Sequence, residues 1–178
     1  MNHYYYNIQG WSDNFIELYR SVVKEAPENS IFVEVGSWKG RSAAYMGVEI
    51  LNSGKNIKLY CVDHWMGSQE HTDIPTDLFD QFISNVKPIS NIVTPIKLES
   101  NKSNEYFLDE DCYFVFIDAS HDYDNVSKDI KNWFPKVKVG GILAGDDYSM
   151  DGVKKAVTEQ LPNFESVGTE WPYWRIRK

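Results

Sequence analysis

The chain has 178 residues, of which 42% are hydrophobic and 25% charged, and a formal net charge of -8. This composition is typical of one globular domain and excludes a disordered or fibrous protein. The acidic balance argues against a nucleic-acid partner, because binding phosphates requires a basic face. No apolar run approaches the ~20 residues of a membrane helix, and residues 1–6 lack the basic and apolar regions of a signal peptide.

Cys61 and Cys112 are the two cysteines of the chain. Two thiols form neither a disulfide framework nor a zinc site by themselves, which favours a reducing compartment. We therefore expect a cytoplasmic protein with no membrane partner, in which both thiols are free.

Strand and helix patterns alternate along the chain. The first helix is predicted to begin after Ser12, a candidate N-cap, and to end at Pro27. The strands are predicted over residues 31–35, 57–62, 92–98, 113–117 and 142–144, with two closing strands over 164–167 and 173–176. The intervening helices are predicted over residues 41–51, from a cap at Thr76 or Asp77 onward, and over 103–108, 122–134 and 153–161.

This alternation predicts parallel βαβ units in a three-layer α/β sandwich. We expect one domain over residues 1–178, with residues 1–28 forming a helical segment packed on the core. Ligands of such sheets bind at the carboxyl ends of the strands, so the loops that follow the strands are the place to look for chemistry.

The loop after the first strand contains two glycines, in the sequence Glu34-Val35-Gly36-Ser37-Trp38-Lys39-Gly40-Arg41-Ser42. A dinucleotide site has a third glycine where this chain has Trp38, and a bulky side chain there would block the pyrophosphate. Glu34 would also repel phosphate, but it could accept hydrogen bonds from an ammonium group. The loop therefore disfavours a nicotinamide dinucleotide.

The second strand ends at Asp63, about 20 residues after the glycine loop, where an acid commonly binds ribose. His64 and Trp65 could then cover the face of an adenine. A ribose, an adenine and an ammonium group without phosphate together describe S-adenosylmethionine (SAM). The competing interpretation is an incidental glutamate, a core tryptophan and a capping aspartate.

Two longer motifs follow the fourth strand and accompany the fifth. They are Phe116-Ile117-Asp118-Ala119-Ser120-His121-Asp122-Tyr123 and Gly140-Gly141-Ile142-Leu143-Ala144-Gly145-Asp146-Asp147. With the glycine loop, they resemble the class I SAM-dependent methyltransferases, in particular the methyltransferase-24 group and, more distantly, the catechol-type O-methyltransferases.

This resemblance implies a Rossmann-like, mostly parallel seven-stranded sheet of order 3-2-1-4-5-7-6 with an antiparallel closing strand. It also implies that one set of residues surrounds the methionine end of SAM: Glu34, Gly36, Ser37, Trp38, Gly40 and Ser42. Asp63 is expected on the ribose, Ser100 and Asn101 near the adenine, and Asp118 in contact with the cofactor as well.

Three carboxylates, those of Asp118, Asp146 and Asp147, follow two strands that we expect to be neighbours about 4.8 Å apart. Such acids repel one another unless a proton or a cation intervenes, and a hard divalent ion such as Mg²⁺ suits oxygen ligands. The related O-methyltransferases use an acid at each corresponding place, and their metal lowers the pKa of the attacking substrate oxygen. We therefore predict a metal site at these three residues.

His121 stands three residues after Asp118, where catechol-type enzymes have a lysine as general base, so His121 is the predicted base. Some sugar-modifying relatives instead place an acid at the position of Ser120. The alternatives are that Asp147 or Asp151 caps the last helix, that Asp122 caps the helix after the fourth strand, and that His121 hydrogen-bonds a loop carbonyl.

These features together predict SAM-dependent O-methylation of a small hydroxylated molecule, a sugar or sugar nucleotide, with a divalent metal. The alternatives are metal-independent O- or N-methylation and a non-catalytic cofactor-binding module. The polar stretch 67–73 is predicted to close as a lid. The run Tyr4-Tyr5-Tyr6 and Trp11 would seal the pocket or form a homodimer contact, and Trp171 and Trp174 would belong to the closing strands.

Overall fold

The computed structural model describes residues 1–67 and 73–178. Within these ranges the strands are β1 (Ile31–Val35), β2 (Lys58–Asp63), β3 (Val93–Lys97), β4 (Cys112–Ile117), β5 (Val137–Gly145), β6 (Glu165–Val167) and β7 (Tyr173–Arg177). The helices are α1 (Ile16–Glu25), α2 (Arg41–Ser53), α3 (Leu78–Val86), α4 (Ser100–Ser103), α5 (Tyr123–Trp133) and α6 (Asp151–Gln160). None of them has the length and apolar composition needed to cross a membrane.

All seven strands form one sheet of order β3-β2-β1-β4-β5-β7-β6. Strands β1 to β5 run parallel, whereas β7 pairs antiparallel with both β5 and β6. The predicted Rossmann-like fold and strand order are therefore confirmed. Val35 lies level with Val62 and Ile117 at the ends of β1, β2 and β4, so the loops that follow these strands start side by side.

The sheet is covered on both faces, as the uniform burial of β4 predicts. On one face Phe32, Phe114 and Phe116 pack with buried residues of α1, α2 and α3. On the other face Val33 and Val115 pack with α5 and α6. Cys61 and Cys112 are buried free thiols, as predicted.

Three predicted element boundaries are wrong. Helix α1 begins at Ile16, because residues 13–15 form a turn, and the buried Ser12 hydroxyl accepts from Arg41 Nε at 3.3 Å instead of capping the helix. The helix predicted over 103–108 begins earlier, at Ser100, and continues only as a 3₁₀ turn to Tyr106. Strand β5 starts at Val137 rather than at residue 142, because the pair Gly140-Gly141 is itself part of the strand.

Candidate active site

The turn between β1 and α2 is held against the end of β4. The Gly36 N–H donates to Val62 O at 2.8 Å, and the Asp118 N–H donates to Val35 O at 2.7 Å. Gly36 has a φ of +90°, and a Cβ at this position would lie 1.9 Å from Asp118 O. Only glycine therefore fits between the two strands at this point.

The carboxylate of Asp63 organises this turn. Its Oδ2 accepts from the backbone N–H groups of Ser37 at 3.0 Å and Trp38 at 2.9 Å, and its Oδ1 accepts from Trp65 N–H at 2.6 Å. Each oxygen can accept further bonds, and the side chain is 14% exposed, so ribose binding by Asp63 stays a prediction. These three bonds show a second role of the carboxylate, which is to fix the conformation of the glycine turn.

Glu34 lies beneath the turn and is fully buried. The Tyr19 hydroxyl donates to its Oε2 at 2.9 Å, and within the described residues its Oε1 has no hydrogen-bond partner. Burial raises the pKa of Glu34 to about 7, while the hydroxyls of Ser42, Tyr19 and Ser37 act in the opposite direction. Glu34 lines neither of the cavities described next, so its contact with a ligand's ammonium group stays a prediction.

Two cavities open at the carboxyl edge of the sheet. The larger has a volume of about 600 Å³ and the smaller about 100 Å³. They share the walls formed by Gly36, Trp38, Asp118 and Ala119. Because the glycine turn separates them, a ligand lying across it would reach into both.

The smaller cavity is lined by residues predicted to bind the nucleoside, namely Asp63, His64 and Ser100. The Ser100 hydroxyl donates to the buried Asp129 at 2.5 Å and accepts from Trp133 Nε1 at 2.8 Å. The pKa of Asp129 is raised to about 6 by burial. These contacts fix Ser100 at the cavity wall.

Two other predicted nucleoside contacts are not supported by the geometry. Trp65 is buried, its ring packs on Phe79 and Phe82 at centroid distances of 4.8 and 4.7 Å, and its Nε1 donates to Trp38 O. Trp65 is therefore a core residue that does not line the cavity. Asn101 is exposed and lines neither cavity.

The larger cavity contains the acidic cluster that follows β4 and β5. Potential ligand atoms of Asp118, His121 and Asp147 lie within 4.8 Å of one another, and His121 Nε2 is 2.8 Å from Asp147 Oδ2. Burial raises the pKa of Asp118 well above its ordinary value, and the nearby charges of Asp146 and Asp147 raise it further. A cation at this cluster would relieve that repulsion.

Asp146 departs from the predicted ligand set. Its Oδ1 accepts from Asn14 Nδ2 at 2.6 Å, and the same amide nitrogen donates to Trp171 O at 3.1 Å. Burial raises the pKa of Asp146 to about 6. The structure thus groups His121, rather than Asp146, with Asp118 and Asp147.

The capping alternatives are also decided by the structure. Asp122 caps α5, because its carboxylate accepts from Asn125 N–H at 3.0 Å, as predicted. Helix α6 begins after Met150 without a side-chain cap, so neither Asp147 nor Asp151 caps it. Asp147 instead adopts a φ of +56° in the loop and points at His121.

The local sequence does not indicate that several residues contribute to the site. Asn14 contacts Asp146, 132 residues away in the sequence, and Tyr19 of α1 contacts Glu34 of β1. Trp171 lies in the turn before β7, not in a closing strand, and lines the larger cavity together with Trp11. Trp174 is buried in β7, as predicted.

The other predictions for the cavity rim have mixed outcomes. Tyr4, Tyr5 and Tyr6 line neither cavity; Tyr5 packs edge-on against Tyr45. Most of the predicted lid, residues 68–72, lies outside the described residues.

The chain matches the family model described as a methyltransferase domain over residues 33–148. A search of curated proteins found no significant match. Among solved structures, a proposed caffeoyl-CoA O-methyltransferase from Staphylococcus aureus has a TM-score of 0.71 and 12% identity, over 97% of this chain and 87% of that chain.

Two further structures are similar across almost their whole length. A proposed rRNA methylase from Clostridium thermocellum has a TM-score of 0.70 and 10% identity, over 96% of this chain and 100% of that chain. A proposed methyltransferase from Streptococcus mutans, in complex with S-adenosylhomocysteine (SAH), has a TM-score of 0.63 and 16% identity, over 93% and 98%. At such low sequence identities, the similarity to these structures shows the fold alone. The family assignment rests on the family model, which covers more than half of the sequence. The chain therefore belongs to the methyltransferase domain family and is a SAM-dependent methyltransferase.

Proposed function

We propose that the protein methylates a hydroxyl oxygen of a small acceptor, with a divalent cation at Asp118, His121 and Asp147. The observation that carries the proposal is that these three side chains share the wall of a cavity of about 600 Å³. That cavity adjoins, across Gly36 and Trp38, the smaller one lined by Asp63.

The donor set fits a divalent metal. Two carboxylates and one imidazole supply ligand atoms within 4.8 Å of one another, a combination that suits Mn²⁺ as well as Mg²⁺. Burial raises the pKa of Asp118, and the neighbouring carboxylates of Asp146 and Asp147 raise it further, so a cation would help keep these acids ionised together. A bound cation would hold an acceptor oxygen and lower its pKa.

The residues of the chain would align the two reactants and hold the cation. SAM, when bound, supplies a methyl group already activated as a sulfonium, so little covalent chemistry is left to the protein. The acceptor oxygen gains the methyl group as the S–C bond breaks, and its proton passes to a base. His121, 2.8 Å from the Asp147 carboxylate, would be a ligand of the cation together with Asp147 and so does not take this proton; with the cation bound, water is the base, because the cation would lower the pKa of the acceptor oxygen. The turn fixed by Asp63 sets the direction from which the methyl group approaches.

The same contact between His121 and Asp147 favours a second candidate, metal-independent O- or N-methylation. In that case the aspartate would orient the imidazole as a base without a metal. A carboxylate and an imidazole at 2.8 Å form a competent acid–base pair on their own. The two candidates differ in one measurable property, the response of turnover to chelation.

The experiment measures methyl transfer from radiolabelled SAM to a library of hydroxylated sugars and phenols, before and after EDTA treatment. We expect turnover to be lost with EDTA and restored by Mg²⁺ or Mn²⁺. Asp147→Asn should abolish this restoration, while calorimetry with SAH gives an affinity close to that of the wild type. Glu105→Gln, at an exposed position, is the matched control. Turnover that persists with EDTA would refute the metal and favour the second candidate.

A further inference from the structure

Two exposed tryptophans line the larger cavity and are not used by the chemistry above. Trp11 is 70% and Trp171 is 64% exposed, although large apolar side chains at that exposure are costly to keep in water. Trp11 belongs to the N-terminal segment and Trp171 to the turn before β7. Both lie on the wall that also contains the acidic cluster.

The turn that contains Trp171 is tied to that cluster by a single side chain. The amide nitrogen of Asn14 donates to Trp171 O and to Asp146 Oδ1, at 3.1 and 2.6 Å. Asn14 is itself only three residues from Trp11. The backbone of the turn that contains Trp171 is thus tied to Asp146, and Trp11 lines the same cavity.

Arg41 and Lys39, which line this cavity, already donate hydrogen bonds to other groups of the protein. Arg41 donates to Asp13 at 2.9 Å, to Ile8 O at 3.1 Å and to the Ser12 hydroxyl at 3.3 Å. Lys39 donates to Gln9 Oε1 at 2.5 Å. A phosphate-bearing ligand is recognised by available arginine or lysine donors. Each guanidinium nitrogen of Arg41 is in a structural bond, whereas the ammonium of Lys39 has further N–H donors.

We infer that Trp11 and Trp171 form the acceptor subsite, and that they stack on the apolar face of a neutral ring with adjacent hydroxyl groups. This inference rests on the proposed O-methylation and narrows its acceptor. The ring faces the indoles, and one of its hydroxyls reaches Asp118 and His121. A neutral pyranoside and a catechol share this chemistry, whereas the diphosphate of a sugar nucleotide would find Arg41 engaged and only Lys39 available among the described arginines and lysines of this wall.

The test uses the full chain labelled with 5-fluorotryptophan and saturated with SAH. The six tryptophans give separate ¹⁹F signals, and Trp11→Phe and Trp171→Phe assign the two of interest. The probes are methyl α-D-mannopyranoside, catechol and UDP-glucose. We expect one or both of the neutral probes, the pyranoside and the catechol, to shift these two signals. The probe that does so identifies the class of ring that the acceptor contains.

Replacing either indole should weaken that binding. Trp11→Ala and Trp171→Ala are expected to raise the Kd of the neutral probe about fivefold, as the loss of one aromatic contact implies. The phenylalanine variants should recover most of the affinity, because a flat ring is restored. Tyr106→Ala, which removes an aromatic ring that is 69% exposed and lines neither cavity, should leave the Kd unchanged.

Failure of this inference can be told from failure of the proposed function. If neither neutral ring shifts the two signals, or if UDP-glucose shifts them at lower concentration, the subsite is wrong. Equal Kd values for the wild type and both alanine variants would also overturn it. These results concern binding alone, whereas the proposed O-methylation fails on turnover in the library assay.

Discussion

Glu34→Gln tests whether the pKa of Glu34, the acid buried beneath the glycine turn, is raised in the folded protein. Burial raises the pKa of Glu34 from 4.5 to about 7. An acid whose pKa is raised on folding contributes stability that is fully present below its unfolded pKa. That contribution is lost as the pH rises through the folded pKa. The wild type therefore loses stability between these two values, whereas the glutamine, which does not titrate, loses none at this position.

The magnitude follows from the size of the shift. A difference of about 2.5 pKa units corresponds to about 3 kcal/mol at ~1.4 kcal/mol per unit. Glu34 is fully buried, so solvent screening does not reduce this value. The free energy of unfolding of Glu34→Gln, minus that of the wild type, should increase by up to about 3 kcal/mol between about pH 4 and pH 8.

Urea denaturation at several pH values measures this difference. Asp129 and Asp146 also have raised pKa values, but their effects cancel when the two proteins are compared at each pH. Glu34→Gln also lowers the pKa of Asp118, because the charge of Glu34 contributes to raising it. Glu105→Gln, which alters an exposed side chain, should follow the wild type at every pH. A difference between Glu34→Gln and the wild type that does not change with pH would refute the reasoning.

Three further substitutions test the geometry of the site. Gly36→Ala should destabilise the fold by ~3 kcal/mol or more in thermal unfolding, because its Cβ would meet Asp118 O. Gly54→Ala has open space and should cost only ~1 kcal/mol; equal costs would contradict the packing. Asp63→Asn should weaken SAH binding at least about tenfold in calorimetry, since three N–H groups lose a charged acceptor; unchanged affinity would show that the turn holds without it. Asn14→Ala should lower kcat/KM about tenfold without changing SAH affinity, because Asp146 loses its bond; full activity would exclude a positioning role.

The positions of the strands and the glycine turn were predictable because each depends on local patterns, whereas the order of the strands followed from the family resemblance. Continuous apolar runs predict strands buried on both faces, and Gly36 and Asp118 follow directly from such runs. The parallel register then brings the ends of β1, β2 and β4 together. The acidic cluster follows from the corresponding parallel register of β4 and β5, in which Ile117 lies level with Gly145.

The side-chain pairings within the site were not predictable from the sequence. Asn14 and Asp146 are 132 residues apart, and their contact depends on how the N-terminal segment crosses the cavity. That contact engages one oxygen of the Asp146 carboxylate, and Asp146 is not in the group of three side chains that could share a metal ion. Trp65 was misplaced for a similar reason, since only tertiary packing shows that Phe79 and Phe82 enclose its ring.

A crystal structure with SAH and Mn²⁺, recorded with anomalous diffraction, tests the proposed catalytic centre most directly. We predict that SAH crosses the turn at Gly36 and Trp38 with its ribose at Asp63. A single manganese peak should lie between Asp118, His121 and Asp147. SAH bound in this way without a peak at these three residues would contradict the metal-dependent mechanism.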